Sequence, residues 1–142
     1  MKKQLAIIML SLGWMFCVQS ASAQKNEKIV GEIFSYVDTV PQFMGGREAM
    51  IQFLTTNMVF PPKATKEGVK KGKVYLEFIV KADGSLANIK ISKTSDEAFN
   101  KEAIRLFTIM PNWKAGVLNG KQVNSRLTFP IKFGYDSVLD TK

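Results

Sequence analysis

The side chains that most often carry chemistry are scarce in this chain. Its 142 residues include no histidine and one cysteine. That removes Ser-His-Asp and Cys-His nucleophilic catalysis, most Cys/His zinc sites and any disulfide within one chain. Carboxylates and lysines remain. Hydrolysis by paired carboxylates needs two of them gathered around one bond, but Asp83, Glu77, Glu97 and Glu102 read as a hairpin tip, a strand face and a helix surface, with no spacing that gathers them. Gly45-Gly46 lacks the strand, helix and lysine context of a phosphate loop and reads as a turn into a helix. Lys63, Lys66, Lys70, Lys71 and Lys73 crowd one stretch and could attract nucleic acid or an acidic membrane face. A lysine-rich turn in an exported chain is first a solvated surface, although it could still draw an acidic partner segment. The expectation is a non-enzymatic chain with no cofactor, no metal and no nucleic-acid partner.

The chemistry left over is that of the backbone. Residues 123–133 alternate cleanly, with Val123, Ser125, Leu127, Phe129, Ile131 and Phe133 inward and Asn124, Arg126, Thr128, Pro130 and Lys132 outward, the pattern of a half-buried strand. Pro130 cannot donate to a ladder, which places the strand at a sheet edge. Alternate residues of an antiparallel strand direct their N–H and C=O groups the same way, so Asn124, Arg126, Thr128 and Lys132 share the outward direction of Pro130. An exposed edge is either a hazard to be blunted or a place where another chain adds a strand, and proline and lysine suit both.

The rest of the chain supplies the elements that hold such an edge. Residues 1–23 read as a secretory signal: Lys2 and Lys3, an apolar run over residues 5–18, and Ala21-Ser22-Ala23 before Gln24. The competing reading is a retained anchor, but 14 residues span about 21 Å against a hydrocarbon core of about 30 Å. Cys17 sits among bulky residues and reads as part of the apolar run. Without this segment, 119 residues remain with a net charge near +6 and no cysteine, so only a hydrophobic core can hold the fold. Residues 24–39 read as a leader and short extension, with a short strand over 33–37. Residues 47–57 place Ala49, Met50, Phe53 and Leu54 on one helical stripe. Pro61-Pro62 starts a short helix that should end at Glu67, with Gly68 and Val69 as its cap. Residues 73–81 alternate as a strand, Asp83-Gly84 turns a hairpin, and 86–93 return antiparallel. Ser95 or Asp96 caps a helix carrying Phe99, Ala103, Leu106 and Met110, limited by Pro111. Trp113 and the phenylalanines read as core.

In this order and spacing, the strings over residues 60–133 resemble the C-terminal domain of the TonB energy transducers. The likeness is carried by Phe60-Pro61 with Ala64, Gly68 and Gly72 before a strand, the Asp83-Gly84 hairpin, Ile89 and Ile91, the helix from Phe99, Trp113, Gly116, Gly120 and the alternating last strand. Residues 40–46 resemble an extension found in one variant of that domain, with Met44 and Ala115 departing from the usual pattern. The resemblance implies an α+β fold in which a three-stranded antiparallel sheet carries helices on one face, a domain over residues 40–135 with a tail over 136–142, and a periplasmic address. It also implies a partner, the TonB box of an outer-membrane receptor, added as a strand along Asn124, Arg126, Thr128, Pro130 and Lys132. A second contact region corresponds to Asn57, Met58 and Val59, where the polar string of well-known members is absent. Family transducers carry a membrane helix and a proline-rich linker that are not found before this domain, so the expectation is a free-standing binding domain linked to receptor-mediated transport. Two alternatives stand beside it. One is an assembly module that forms a homodimer through the same edge. The other is a short transducer anchored in the inner membrane, with motor proteins as partners, if the N-terminal segment is retained.

Overall fold

The structure is a computed structural model that describes residues 29–135 together with Val138 and Leu139. The signal expected over residues 1–23, the start of the leader and the rest of the tail lie outside the described residues. No described helix is long and apolar enough to cross a membrane.

The molecule is organised around β3 (Gly72–Val80), whose alternating Val74, Leu76, Phe78 and Val80 are each fully buried. It pairs antiparallel with β4 (Leu86–Thr94) on one side and β7 (Lys121–Phe133) on the other. The β3–β4 turn is made by Asp83 and Gly84. Asp83 Oδ1 accepts the Ser85 N–H at 2.9 Å and its hydroxyl at 2.6 Å, and these bonds hold the carboxyl below its ordinary range. Gly84 has φ +88° and lies so close to Trp113 that a Cβ would collide with the Trp113 carbonyl oxygen. Only glycine fits there. The Gly84 carbonyl in turn accepts the Trp113 N–H at 2.7 Å, fastening the hairpin tip to the segment after the last helix.

Three helices supply the other half of the core. In α1 (Gly46–Asn57), Met50 and Leu54 are buried; α2 (Pro62–Lys66) buries Ala64. The end of α2 is a paired cap, with Val69 N–H donating to Ala64 O and Gly68 N–H to Thr65 O, as the left-handed Gly68 allows. A single 3₁₀ turn, Glu97–Phe99, capped by Asp96 at the Ala98 N–H, leads into α3 (Asn100–Thr108). Ala103, Leu106 and Phe107 of α3 meet the β3 side chains in one cluster with Phe99, Trp113, Ile131 and Phe133. Phe99 stacks on Phe133 at 4.8 Å, Phe107 packs on Phe78 at 4.8 Å, and Trp113 meets Phe78 edge-on at 5.4 Å. The aromatic residues are therefore packing, each large buried side chain contributing about 1.5–3 kcal/mol.

The α+β class holds, while the sheet is larger than expected. A two-residue strand β1 (Ile33–Phe34) runs parallel to β7, and β6 (Gly116–Leu118) forms a hairpin with β7 across Asn119 (φ +50°) and Gly120 (φ +77°), a type I′ turn. The main sheet is thus mixed and five-stranded, in order β1-β7-β3-β4 with β6 also on β7. A separate pair joins β2 (Gln42–Phe43) to β5 (Trp113–Lys114). The short strand expected over 33–37 is thus confined to Ile33–Phe34, while β2, β5 and β6 are too short for alternation to announce them; partners across the fold create them. The last strand starts at Lys121, two residues before the alternating run. Helix α3 stops at Thr108, because Ile109 turns its N–H back to Arg105 and Phe107, and Pro111 bars Met110 from helical geometry.

Candidate functional site

The register fixes which backbone groups of β7 face away from β3. Nine residue pairs run from Gly72 and Phe133 to Val80 and Ser125, with Pro130 opposite Tyr75. Pro130 has no N–H to offer β3, so the residues in phase with it, Asn124, Arg126, Thr128 and Lys132, direct their N–H and C=O groups outward. The outward direction of Lys132 has its own witness: its N–H donates to the Val138 carbonyl at 2.9 Å. The sequence pattern therefore chose the correct phase.

It did not foresee how much of that flank is already covered. Ile33 pairs with Asn124 and Phe34 with Ser125, so β1 occupies the outward side at one end. Asn124 is not an open edge residue but is 8% exposed. Its Oδ1 accepts the Ala82 N–H at 2.9 Å, and its Nδ2 donates to the carbonyls of Val30 at 3.1 Å and Glu32 at 3.2 Å. Because a backbone N–H can only donate, the Ala82 contact fixes the orientation of the amide and turns its donor to the incoming strand. At the other end Lys132 is engaged by the tail. Leu139, one residue beyond Val138, is 1% exposed within the core cluster. Gly134 (φ +72°) makes the fold-back close, since a Cβ there would collide with the Lys70 carbonyl.

Between these covers lies a window around Arg126, Thr128 and Pro130. Among the described residues no strand pairs with the outward side of β7 beyond Ser125. The sheet face beside the window is basic. Arg126 Nη1 stands 3.9 Å from Glu77, which also meets Lys90 at 2.9 Å. Lys73 lies 5.1 Å from the Tyr75 ring, and Lys71 and Lys132 both lie over Tyr135. On the helix-bearing face, Leu127 and Phe129 are half-buried. A strand laid in the window would meet apolar neighbours on one face and cations on the other.

The second contact region is built on different elements. Asn57 and Met58 are half-buried and Val59 is 57% exposed. The loop backbone is clamped from α3: Glu102 Oε1 accepts the Val59 N–H at 2.7 Å, and Arg105 Nη2 donates to the Asn57 carbonyl at 2.6 Å. Arg105 also bonds both carboxylate oxygens of Glu102, at 2.6 and 2.8 Å. Burial raises the Glu102 pKa, but the Arg105 and Val59 donors and the Arg105 charge outweigh it, leaving the group below its ordinary value. Glu102 and Arg105 are three apart on one helix, a spacing visible in the sequence that could have flagged the pair. For the Asn124 clip no local signal exists, because its partners lie 42 to 94 residues away.

The profile of the family described as Gram-negative bacterial TonB protein C-terminal matches residues 56–135. Among solved structures, the NMR structure of a Helicobacter pylori TonB C-terminal domain is 21% identical, with a TM-score of 0.45, over 66% of this chain and 82% of that one. A shorter piece of the same Helicobacter pylori domain is also 21% identical, with a TM-score of 0.44, over 61% of this chain and 89% of that one. No curated protein matches.

Proposed function

The chain belongs to the TonB C-terminal domain family, and from that membership we propose that it is a non-enzymatic, periplasmic binding domain that takes up an extended peptide, the TonB box of an outer-membrane receptor, as an added strand on β7. The observation that carries this reading is the outward flank from the Arg126 carbonyl through Thr128 to Pro130, whose backbone groups face away from β3 beyond the end of β1, with no strand beside them among the described residues. Leu127 and Phe129 beside it offer apolar contact, and Arg126 and Lys132 offer charge. The region at Asn57, Met58 and Val59 serves as a second contact in this reading, held in shape by Glu102 and Arg105.

Magnitudes bound the affinity. A window of this length offers about three to four backbone bonds at about 0.5–1.5 kcal/mol net each, against an association cost of at least about 4 kcal/mol. A peptide confined to the window would bind weakly. The test is titration of the protein with TonB-box peptides while backbone amide resonances are followed. Arg126 and Thr128 should move first; no movement at millimolar peptide removes strand addition as the function. Sedimentation at rising concentration tests the competing occupant, a second copy of the chain, which a persistent monomer excludes.

A further inference from the structure

We propose that β1 is a resident occupant of the partner site on β7, clipped there by Asn124, and that it leaves when a peptide adds to the strand. The inference rests on the strand-addition reading and deepens it.

Position is the first ground for it. Strand β1 pairs with β7 at Asn124 and Ser125, directly beside the open window, so a strand longer than the window must run into it. The second is the nature of the grip. Asn124 Nδ2 bonds the carbonyls of Val30 and Glu32, which flank Gly31 in a positive-φ bend (φ +100°) just before β1. The bend brings both carbonyls to one amide, so the clip belongs to this segment and is given up when β1 leaves.

The third is how lightly β1 is held. Val30 is 87% exposed, Ile33 is 36% exposed and Phe34 is not part of the core cluster. Its ladder covers two residues, against nine pairs on the β3 side of the same strand. Beyond it Tyr36 is 82% exposed, and the chain is next fastened at Asp38 and Thr39, whose N–H groups donate to the Val117 carbonyl. Strand β1 can therefore leave β7 while the chain from Asp38 onward stays in place. The fourth is the contrast with the other cover. The tail is anchored by Leu139 inside the core, so removing it would expose a buried leucine. Of the two covers, β1 is the one that yields.

An occupied site lowers apparent affinity by the fraction of molecules in which it is open. A TonB-box peptide should accordingly bind the full-length Phe34→Pro variant about tenfold more tightly than wild type, because proline at 34 cannot donate to β7 and weakens β1 alone. Asn124→Ala removes the clip on the segment before β1 and should raise the affinity in the same direction. In wild type, saturating peptide should deprotect the Phe34 amide in hydrogen exchange, a readout that needs no variant to fold. Equal affinity for wild type and Phe34→Pro, or a Phe34 amide that stays protected in the complex, overturns the proposal while leaving strand addition intact. No gain from Asn124→Ala overturns the role of Asn124 as the clip that holds β1. Absence of binding to all three proteins removes the strand-addition reading and the proposal with it.

Discussion

The two covers on the outward flank of β7 are held by opposite kinds of interaction. The tail is pinned by apolar side chains, Leu139 at 1% exposure in the core and Val138 packed against it, with a backbone bond from Lys132 to Val138 beside them. Strand β1 is held by polar contacts, with the Asn124 amide and a two-residue ladder gripping a segment whose own apolar residues are largely in water. Hydrophobic burial scales with area and has no substitute once lost, whereas a hydrogen bond given up to water or to another strand is exchanged at small net cost. One end of the chain therefore closes the core and the other closes the edge.

Experiment can break this contrast, most sharply at the tail. Leu139→Ala should lower the free energy of unfolding by about 2–5 kcal/mol, the range for truncating a buried leucine; a loss under about 1 kcal/mol in denaturant titration would show that the tail is no better anchored than β1. Next is Gly72→Ala. A Cβ at Gly72 would collide with the Phe99 ring, which is stacked on Phe133, the residue paired with Gly72. Overpacking there should cost about 1–3 kcal/mol, measured the same way, and should loosen the tail end of β7 in hydrogen exchange while sparing β1. Asn124→Ala should cost about 1–3 kcal/mol by leaving the Ala82 N–H without its acceptor, with faster exchange confined to the β1 end.

The smallest expected effect concerns acid. Glu102 has a folded pKa below its ordinary value of 4.5. Its stabilisation is therefore present above that ordinary value and lost as pH falls through the lower, folded one. The loop at Asn57, Met58 and Val59 should loosen over that acid range, seen as movement of the Val59 amide. The β1 contacts run through a neutral amide and backbone groups and should not respond; movement of Ile33 in step with Val59 would contradict the separation of the two regions.

The last strand shows how far sequence reading goes. Pro130 and the alternation around it gave the phase of the edge correctly, because both are properties of consecutive residues. The same five outward residues were not equivalent in the fold. Asn124 is buried under β1 and Lys132 is engaged by the tail, since residues far away in the chain come to lie on them. The helical stripes, the Asp83-Gly84 turn and the Gly68 cap were likewise legible, each being a local conflict resolved by a local residue. A short strand was expected over 33–37 and exists only as Ile33–Phe34, while β2, β5 and β6 were not legible, because two or three residues carry no period and exist as strands only through their partners.

What the sequence determined alone is the succession of the long strands and helices, most of their core residues, the exclusion of histidine- and disulfide-based chemistry and the direction in which the last strand presents its backbone. These properties come from composition, from periods of 2.0 and 3.6 and from turn stereochemistry, all of which act within a few residues. Tertiary structure alone decided that the edge is covered at both ends, that Asn124 clips the bend before β1 and that Glu102 with Arg105 clamps the loop at Val59. Each of these joins groups tens of residues apart, and their geometry exists only after the chain has closed around its core.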